Sequence, residues 1–324
     1  MLTRRCVLKF GAVAALCVGT AVFAGPCSQA ADPPLEVVAS FSILGDMVKT
    51  VGGDRVQVIT LVGPDGDAHV FEPTPTDAKA IADAKVVFVN GLGLEQGWMP
   101  RLIEASGYKG PVVVTSKGIK PLRMEEEEDE QGKEEASAHE HGHGKPHMVD
   151  DPHAWQNLAN GKIYVENIVA GLSAADPAGA ETYRANGQAY IIEIDKLDAE
   201  VRARLATIPQ ARRKIVTTHD AFQYFGKAYG LELLAPAGVS TEAEASAEDV
   251  AKLIRQIRKD RITAVFFENM SDNRLLTQIS KETGARIGGT VYSDALSAPD
   301  GPATTYLAMF RHNLQEFTQA LAGS

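Results

Sequence analysis

AGAETYRANGQAYIIEIDKLDAEVRARLATI, residues 178–208, is the stretch on which the architecture turns. Tyr190, Ile194, Leu197, Val201 and Leu205 recur at spacings of three and four, which lays one apolar stripe along a long helix. Pro177 near its start and Pro209 just past its end punctuate it. Such a helix either packs on the surface of one lobe or forms a spine joining two. A spine would restrict hinge motion where two or three crossover strands would permit it.

On both sides of this stretch, short β-branched runs alternate with helical patterns. Before it, Leu35–Ser42, Val56–Val62, Val86–Asn90 and Pro111–Thr115 read as strands, with helices over Ile43–Val51, Thr76–Ala84 and Gln96–Ser106. After it, strands are expected at Lys214–Thr218, Leu231–Ala235, Ile262–Glu268 and Ala285–Thr290. Helices are expected at Ala221–Tyr229, Ala247–Lys259, Asn273–Thr283 and Thr304–Ala322, the second of these capped by Ser246 with Asp249 three residues on. The fold class is α/β: two lobes, each with a mostly parallel sheet flanked by helices, joined by one long rigid helix. The expected organisation is a signal peptide over 1–30, an N-terminal lobe over 31–172, a linking helix over 173–210 and a C-terminal lobe over 211–324. With 324 residues, 44% hydrophobic and 23% charged, each lobe has enough chain to bury a core. The formal net charge of −10 excludes the basic footprint of a nucleic-acid binder and argues against attraction to an anionic membrane.

The leader stands apart from the fold. Arg4, Arg5 and Lys9 precede the apolar run Phe10–Phe23, with cleavage options after Ala24 or Ala30. The Thr3–Lys9 segment is twin-arginine-like, with Val7 where Phe is usual, and the expected location is the periplasm. Cys27 follows Ala24-Gly25-Pro26, a poor match to a lipoprotein signal. All three cysteines, Cys6, Cys17 and Cys27, lie in this leader. Cleavage after Ala30 removes them and three basic residues, so the net charge becomes −13 and any metal must be held by nitrogen and oxygen.

One segment breaks the alternation. Met124–His147 sets nine carboxylates against two lysines, carries no apolar periodicity, and reads as a disordered loop. Its His139, His141, His143 and His147 are candidates for accessory metal capture, against the plainer reading of a solvated spacer.

No Walker loop, nucleophile elbow or dinucleotide fingerprint occurs, and Gly91-Leu92-Gly93 lacks the third glycine. Three histidines outside the acidic segment share a context. His69 follows the strand ending near Val62, His219 ends the strand opening the second half, and His153 lies in the proline-marked turn Asp151-Pro152-His153-Ala154-Trp155, which is expected to open a helix. Ligands of parallel α/β sheets gather beyond the carboxyl ends of strands, and by that rule Asp294 is the fourth candidate. Separations of 84, 66 and 75 residues exclude a local finger and imply a cleft between lobes. Each histidine alone is more simply a hydrogen-bonded turn residue; the joint pattern carries the metal reading. His312 in the last helix is expected to pack or to face a partner.

The runs Asp65–Pro75, Val89–Gln96, Asp151–Gln156, Thr217–Phe225, Val239–Ser246, Tyr292–Ser297 and Tyr306–Asn313 resemble the TroA-like (cluster A-I) metal-binding solute proteins of ABC importers, zinc branch. The resemblance implies a single buried metal between the lobes, with His69, His153, His219 and Asp294 at the four ligand positions. Manganese members typically carry Glu at the third position, here His219; some zinc members carry Glu before the first histidine, here Ala68. The implied cargo is Zn(II), and the implied partners are an ABC permease with its ATPase, with a periplasmic zinc metallochaperone as a further candidate and the receptor itself a monomer. Three imidazoles and one carboxylate suit zinc on chemical grounds, whereas manganese prefers more oxygen. The expected function is therefore a non-catalytic zinc receptor. The alternatives are a manganese receptor of the same fold and a zinc-dependent hydrolase with Glu268 as candidate base.

Overall fold

The computed structural model describes residues 33–126, 147–242 and 245–322, and the signal-peptide reading of 1–30 lies outside them. The first sheet comprises β1 (Leu35–Phe41), β2 (Val56–Val62), β3 (Val86–Val89) and β4 (Val112–Val114), all parallel, in the order β2-β1-β3-β4. Helices α1 (Ser42–Gly52), α2 (Pro75–Asp83) and α3 (Met99–Ser106) supply the crossovers. The central strands β1 and β3 are nearly unbroken apolar runs because both of their faces are covered, and Val37, Val38, Val86 and Phe88 are fully buried.

The expected loop over 124–147 is corrected at its ends. β5 (Arg123–Glu126) and β6 (His147–Asp150) form an antiparallel pair, with Met124 opposite Val149 and Arg123 opposite Asp150. Backbone pairing overrides the unfavourable composition here, and an Arg123–Asp150 ion pair at 3.2 Å adds a cross-strand contact.

Next come α4 (Leu158–Ala175) and α5 (Ala180–Ala206). Asn157 caps α4 by accepting from the Ala159 N–H at 2.9 Å. Asp176 closes the turn between the two helices. Its Oδ2 accepts from Arg55 Nη2 at 2.8 Å and from the Tyr183 hydroxyl at 2.6 Å. The linking helix therefore begins at Ala180 rather than 173, since Asp176 and Pro177 end α4 first.

The second sheet comprises β7 (Lys214–Val216), β8 (Glu232–Leu234), β9 (Ala264–Glu268) and β10 (Arg286–Val291), again parallel, in the order β10-β9-β7-β8. It carries α6 (Gln223–Tyr229), α7 (Ala247–Asp260), α8 (Arg274–Thr283) and α9 (Tyr306–Ala322). Ser246 caps α7 by accepting from the Asp249 N–H at 3.1 Å.

The stripe of α5 is buried along its length and joins the two lobes as a spine. Its first half packs on α1 and α4, where Asn186 Nδ2 donates to the Val51 carbonyl at 3.0 Å. Its second half packs on α6 and α9, where the Tyr229 hydroxyl donates to Asp198 at 2.8 Å. No helix among the described residues is long and apolar enough to cross a membrane.

Candidate metal centre

Each candidate side chain is delivered by a different segment. His69 sits in the loop after β2. Asp65, in the left-handed region at φ 55°, donates its N–H to the Leu296 carbonyl at 2.9 Å and so ties that loop to the second lobe. Asp67 Oδ1 accepts the His69 N–H at 2.8 Å, and Asp67 Oδ2 accepts the Thr241 hydroxyl at 2.7 Å.

His153 caps a single helical turn, Ala154–Gln156. Asp151 Oδ1 accepts from its backbone N–H at 2.9 Å and from Nδ1 of its ring at 2.8 Å. Asn90 Nδ2 donates to the Pro152 carbonyl at 2.9 Å and fixes the turn from beneath.

His219 follows β7, and Glu268 at the end of the neighbouring β9 braces it. Glu268 Oε1 accepts the Thr218 and His219 N–H groups at 2.7 and 2.9 Å. Its Oε2 lies 2.8 Å from His219 Nδ1, bent away from a linear hydrogen bond. Asp294 follows β10. The carbonyl of Ser293 beside it accepts Trp155 Nε1 at 2.9 Å and Gln156 Nε2 at 2.7 Å, both from the first lobe.

The four side chains converge, and one donor atom from each lies within 4.8 Å of the others. Nε2 of His153 is 3.2 Å from that of His69 and 3.4 Å from that of His219. Asp294 Oδ2 is 3.0 Å from His219 Nε2 and 3.3 Å from His69 Nε2, and its Oδ1 is 3.5 Å from His153 Nε2. Neither carboxylate oxygen has a properly formed hydrogen bond. His153, His219 and Asp294 are at most 1% exposed, whereas His69 is 6% exposed and lines a cavity of about 720 Å³ with Arg123, Asp150 and Glu242. His69 is thus the member nearest the way in.

The electrostatics match the geometry. Burial opposes charge on His153, yet Asp294 and Asp151 outweigh it and lift its pKa to about 9. His219 is raised well above its ordinary value: burial again opposes charge, and Glu268 and Asp294 overcome it. Asp294 lies well below the usual carboxylate range, because His153 and His219 outweigh its own burial. A pocket that draws protons so strongly also draws a cation, and a metal entering it displaces those protons.

The remaining sequence candidates fare differently. His139, His141 and His143 lie outside the described residues, as does the side chain of His147, whose backbone belongs to β6. His312 packs: its Nε2 is 2.9 Å from the Thr290 carbonyl and its ring meets Tyr292. Gly91-Leu92-Gly93 holds no phosphate cradle, since the buried Glu95 accepts the Asn90 and Gly91 N–H groups at 2.6 and 3.1 Å. Sequence reasoning missed Asp151 as a brace, although an acid two residues before a histidine was on the page. It took Glu268 for a candidate base, where the structure has it supporting His219.

The family model for ZnuA, described as "Zinc-uptake complex component A periplasmic", matches residues 37–320. The chain belongs to this family. It is 34% identical over 288 residues to the manganese-binding lipoprotein MntA of Halalkalibacterium halodurans, covering 89% of each chain. Among solved structures it resembles the Mn-bound periplasmic metal-binding protein of Candidatus Liberibacter asiaticus, with 31% identity, TM-score 0.74 and coverage of 88% and 98%. It also resembles the periplasmic zinc-binding protein TroA of Treponema pallidum, with 30% identity, TM-score 0.77 and coverage of 90% and 99%. The chain is therefore an extracytoplasmic metal-binding receptor of an ABC importer, of the TroA/ZnuA-like cluster A-I. Members of this family are transport proteins, not enzymes.

Proposed function

We propose that His69, His153, His219 and Asp294 together hold one divalent transition-metal ion between the lobes, for delivery to a membrane permease with its ATPase. The observation that carries this reading is the buried convergence of four donors whose only free carboxylate oxygens face three imidazole nitrogens. The cargo is better assigned to Mn(II) than to the Zn(II) expected from sequence. The relatives reported above include a manganese-binding lipoprotein and an Mn-bound receptor. Both oxygens of Asp294 are free to bind, and bidentate binding would supply the N₃O₂ set that suits manganese better than a strict tetrahedron. Zn(II) is the second reading, favoured by three neutral imidazoles and by the zinc-binding relative.

Affinity alone does not discriminate, because zinc binds more tightly than manganese at almost any such site. The deciding measurement is the metal content of receptor purified from its own periplasm, with growth of a deletion strain rescued by each metal separately. Manganese in the purified protein and manganese-specific rescue are the expected results; zinc in both assays would return the assignment to zinc. Export through the twin-arginine route and a single-chain receptor belong to the same proposal, whereas loading by a periplasmic zinc metallochaperone belongs to the second, zinc reading. Removal of Met124–His147 tests the accessory role of its histidines: slower loading with unchanged tight affinity is expected.

A further inference from the structure

We propose that Glu268 is a positioning residue that keeps the proton of His219 on Nδ1 and so leaves Nε2 free to bind metal. The inference rests on the ligand assignment above. An imidazole binds metal through a nitrogen that carries no proton, so the site works only when His219 holds its proton at the far side of the ring. On that far side Glu268 Oε2 lies 2.8 Å from Nδ1, close enough to take its proton after a small turn of the ring, although the two are not in line for a hydrogen bond without metal. Glu268 itself cannot turn. Its other oxygen is held by the Thr218 and His219 N–H groups at 2.7 and 2.9 Å, and its side chain is fully buried.

This arrangement predicts an unusual ranking of substitutions. In Glu268→Gln the amide oxygen must stay where the two N–H groups point, because an NH₂ there would oppose them. The amide NH₂ is then forced toward His219 Nδ1. Two donors cannot face each other, so the ring proton moves to Nε2, directly where the metal must bind. The closest mimic of Glu in shape is therefore the worst replacement. Glu268→Ala leaves room for water and lets the ring keep either tautomer.

Asp151 provides the opposite case. A single oxygen, Oδ1, accepts both the backbone N–H and Nδ1 of His153, at 2.9 and 2.8 Å, while Oδ2 is buried without a partner. Asp151→Asn can place its amide oxygen at the Oδ1 position and its NH₂ at the unused one. The tautomer of His153 survives, so Asn should rank above Ala at this position.

The test is Zn²⁺ affinity of the purified protein by competition with a chromophoric chelator, with metal-free melting temperatures and the visible spectrum of Co²⁺-loaded protein alongside. Expected losses are about 10-fold for E268A and about 100-fold for E268Q, with E268Q also losing the intensity its third imidazole gives the Co²⁺ bands. At the other brace, D151N should lose less than about 10-fold and D151A more. E268Q binding as tightly as E268A, or tighter, overturns the proposal. So does D151A outranking D151N, an arm that stands even if E268Q fails to fold. H219A in the same series separates the two levels: unchanged affinity there would defeat the ligand assignment itself.

Discussion

Counted along the chain, the strands of both lobes lie in the same order, 2-1-3-4, yet the two lobes use the crevice this creates in opposite ways. In each sheet the order reverses between the first and third strands, which is where a ligand-binding cleft opens in such folds. In the second lobe that place, between β7 and β9, presents His219, with Glu268 behind it, to the convergent side chains of His69, His153 and Asp294. In the first lobe, between β1 and β3, it is plugged. Glu95 accepts the Ser40 hydroxyl at 2.6 Å and the Asn90 and Gly91 N–H groups, and Asn90 reaches on to the Pro152 carbonyl. The first lobe therefore contributes its two histidines from other loops, and the plugged crevice supports the turn of one of them, His153, through Asn90. Shared topology fixes where a site can form, and the residue at the crevice decides whether it binds or supports.

Paired substitutions at the two crevices should separate these roles most strongly. A four-ligand site worth about 10–16 kcal/mol loses roughly a quarter of that with one ligand, so H219A should weaken metal binding by roughly 10²–10³-fold while the metal-free fold melts nearly unchanged. E95A should do the reverse. It leaves one hydroxyl and two backbone donors buried without partners, costing about 3 kcal/mol of stability, with an affinity change below about 10-fold. Calorimetric melting and metal titration of both variants check this. Equal losses of affinity would show that both crevices serve the metal directly.

A smaller effect compares a buried aspartate with a half-buried one at the lobe seam. Asp294 is held charged by its histidines, whereas Asp46 on α1 has a pKa raised to about 6: burial lifts it, and the Tyr306 N–H at 2.8 Å only partly offsets this. A raised carboxyl takes up its proton more readily folded than unfolded, so the penalty is absent below about pH 4, grows through pH 6 and is complete above it. Asp46→Asn keeps an acceptor for Tyr306 and removes the charge. After allowance for solvent at the rim, it should stabilise the protein by about 1–2 kcal/mol at pH 8 and by nothing at pH 4. A gain independent of pH would show that packing, not charge, limits this seam.

Much of this was legible in the sequence, for identifiable reasons. Buried parallel strands such as Val86–Val89 are written as unbroken β-branched runs, and the α5 stripe needs no partner to be read. The rule that ligands lie beyond strand ends led to His69, His219 and Asp294, which the structure brings together with His153. The β5–β6 pair was hidden because a run of glutamates carries no apolar alternation, while the backbones of Glu125 and Glu126 pair with Met148 and His147. The turn at His153 announced a helix, but the extent of α4 was not read although Leu158, Tyr164, Val165, Ile168 and Leu172 carry its buried face, since Asn160, Gly161 and Gly171 dilute the pattern. Asp151 had a local signal, an acid two residues before His153, that was not used, whereas Glu95 gave none. The value of Glu95 lies partly in the Ser40 hydroxyl, contributed from far along the chain, which composition does not reveal.

The weakest predicted effect concerns the hinge between the compared lobes. His69 is the one candidate ligand whose carboxylate neighbour grips its backbone rather than its ring, and that carboxylate crosses to the second lobe through the Thr241 hydroxyl at 2.7 Å. Thr241→Val removes the donor and keeps the shape, leaving Asp67 Oδ2 to water at the cleft mouth. One partly exposed hydrogen bond to a charged group is worth about 1 kcal/mol, so the dissociation rate of the metal should rise by about 5-fold while the association rate stays fixed. The rates separate the explanations. A faster release alone means that the bond holds the lobes together once the metal is in, as its span across the cleft suggests. A slower capture would mean instead that Asp67 prepares the His69 loop before the metal arrives.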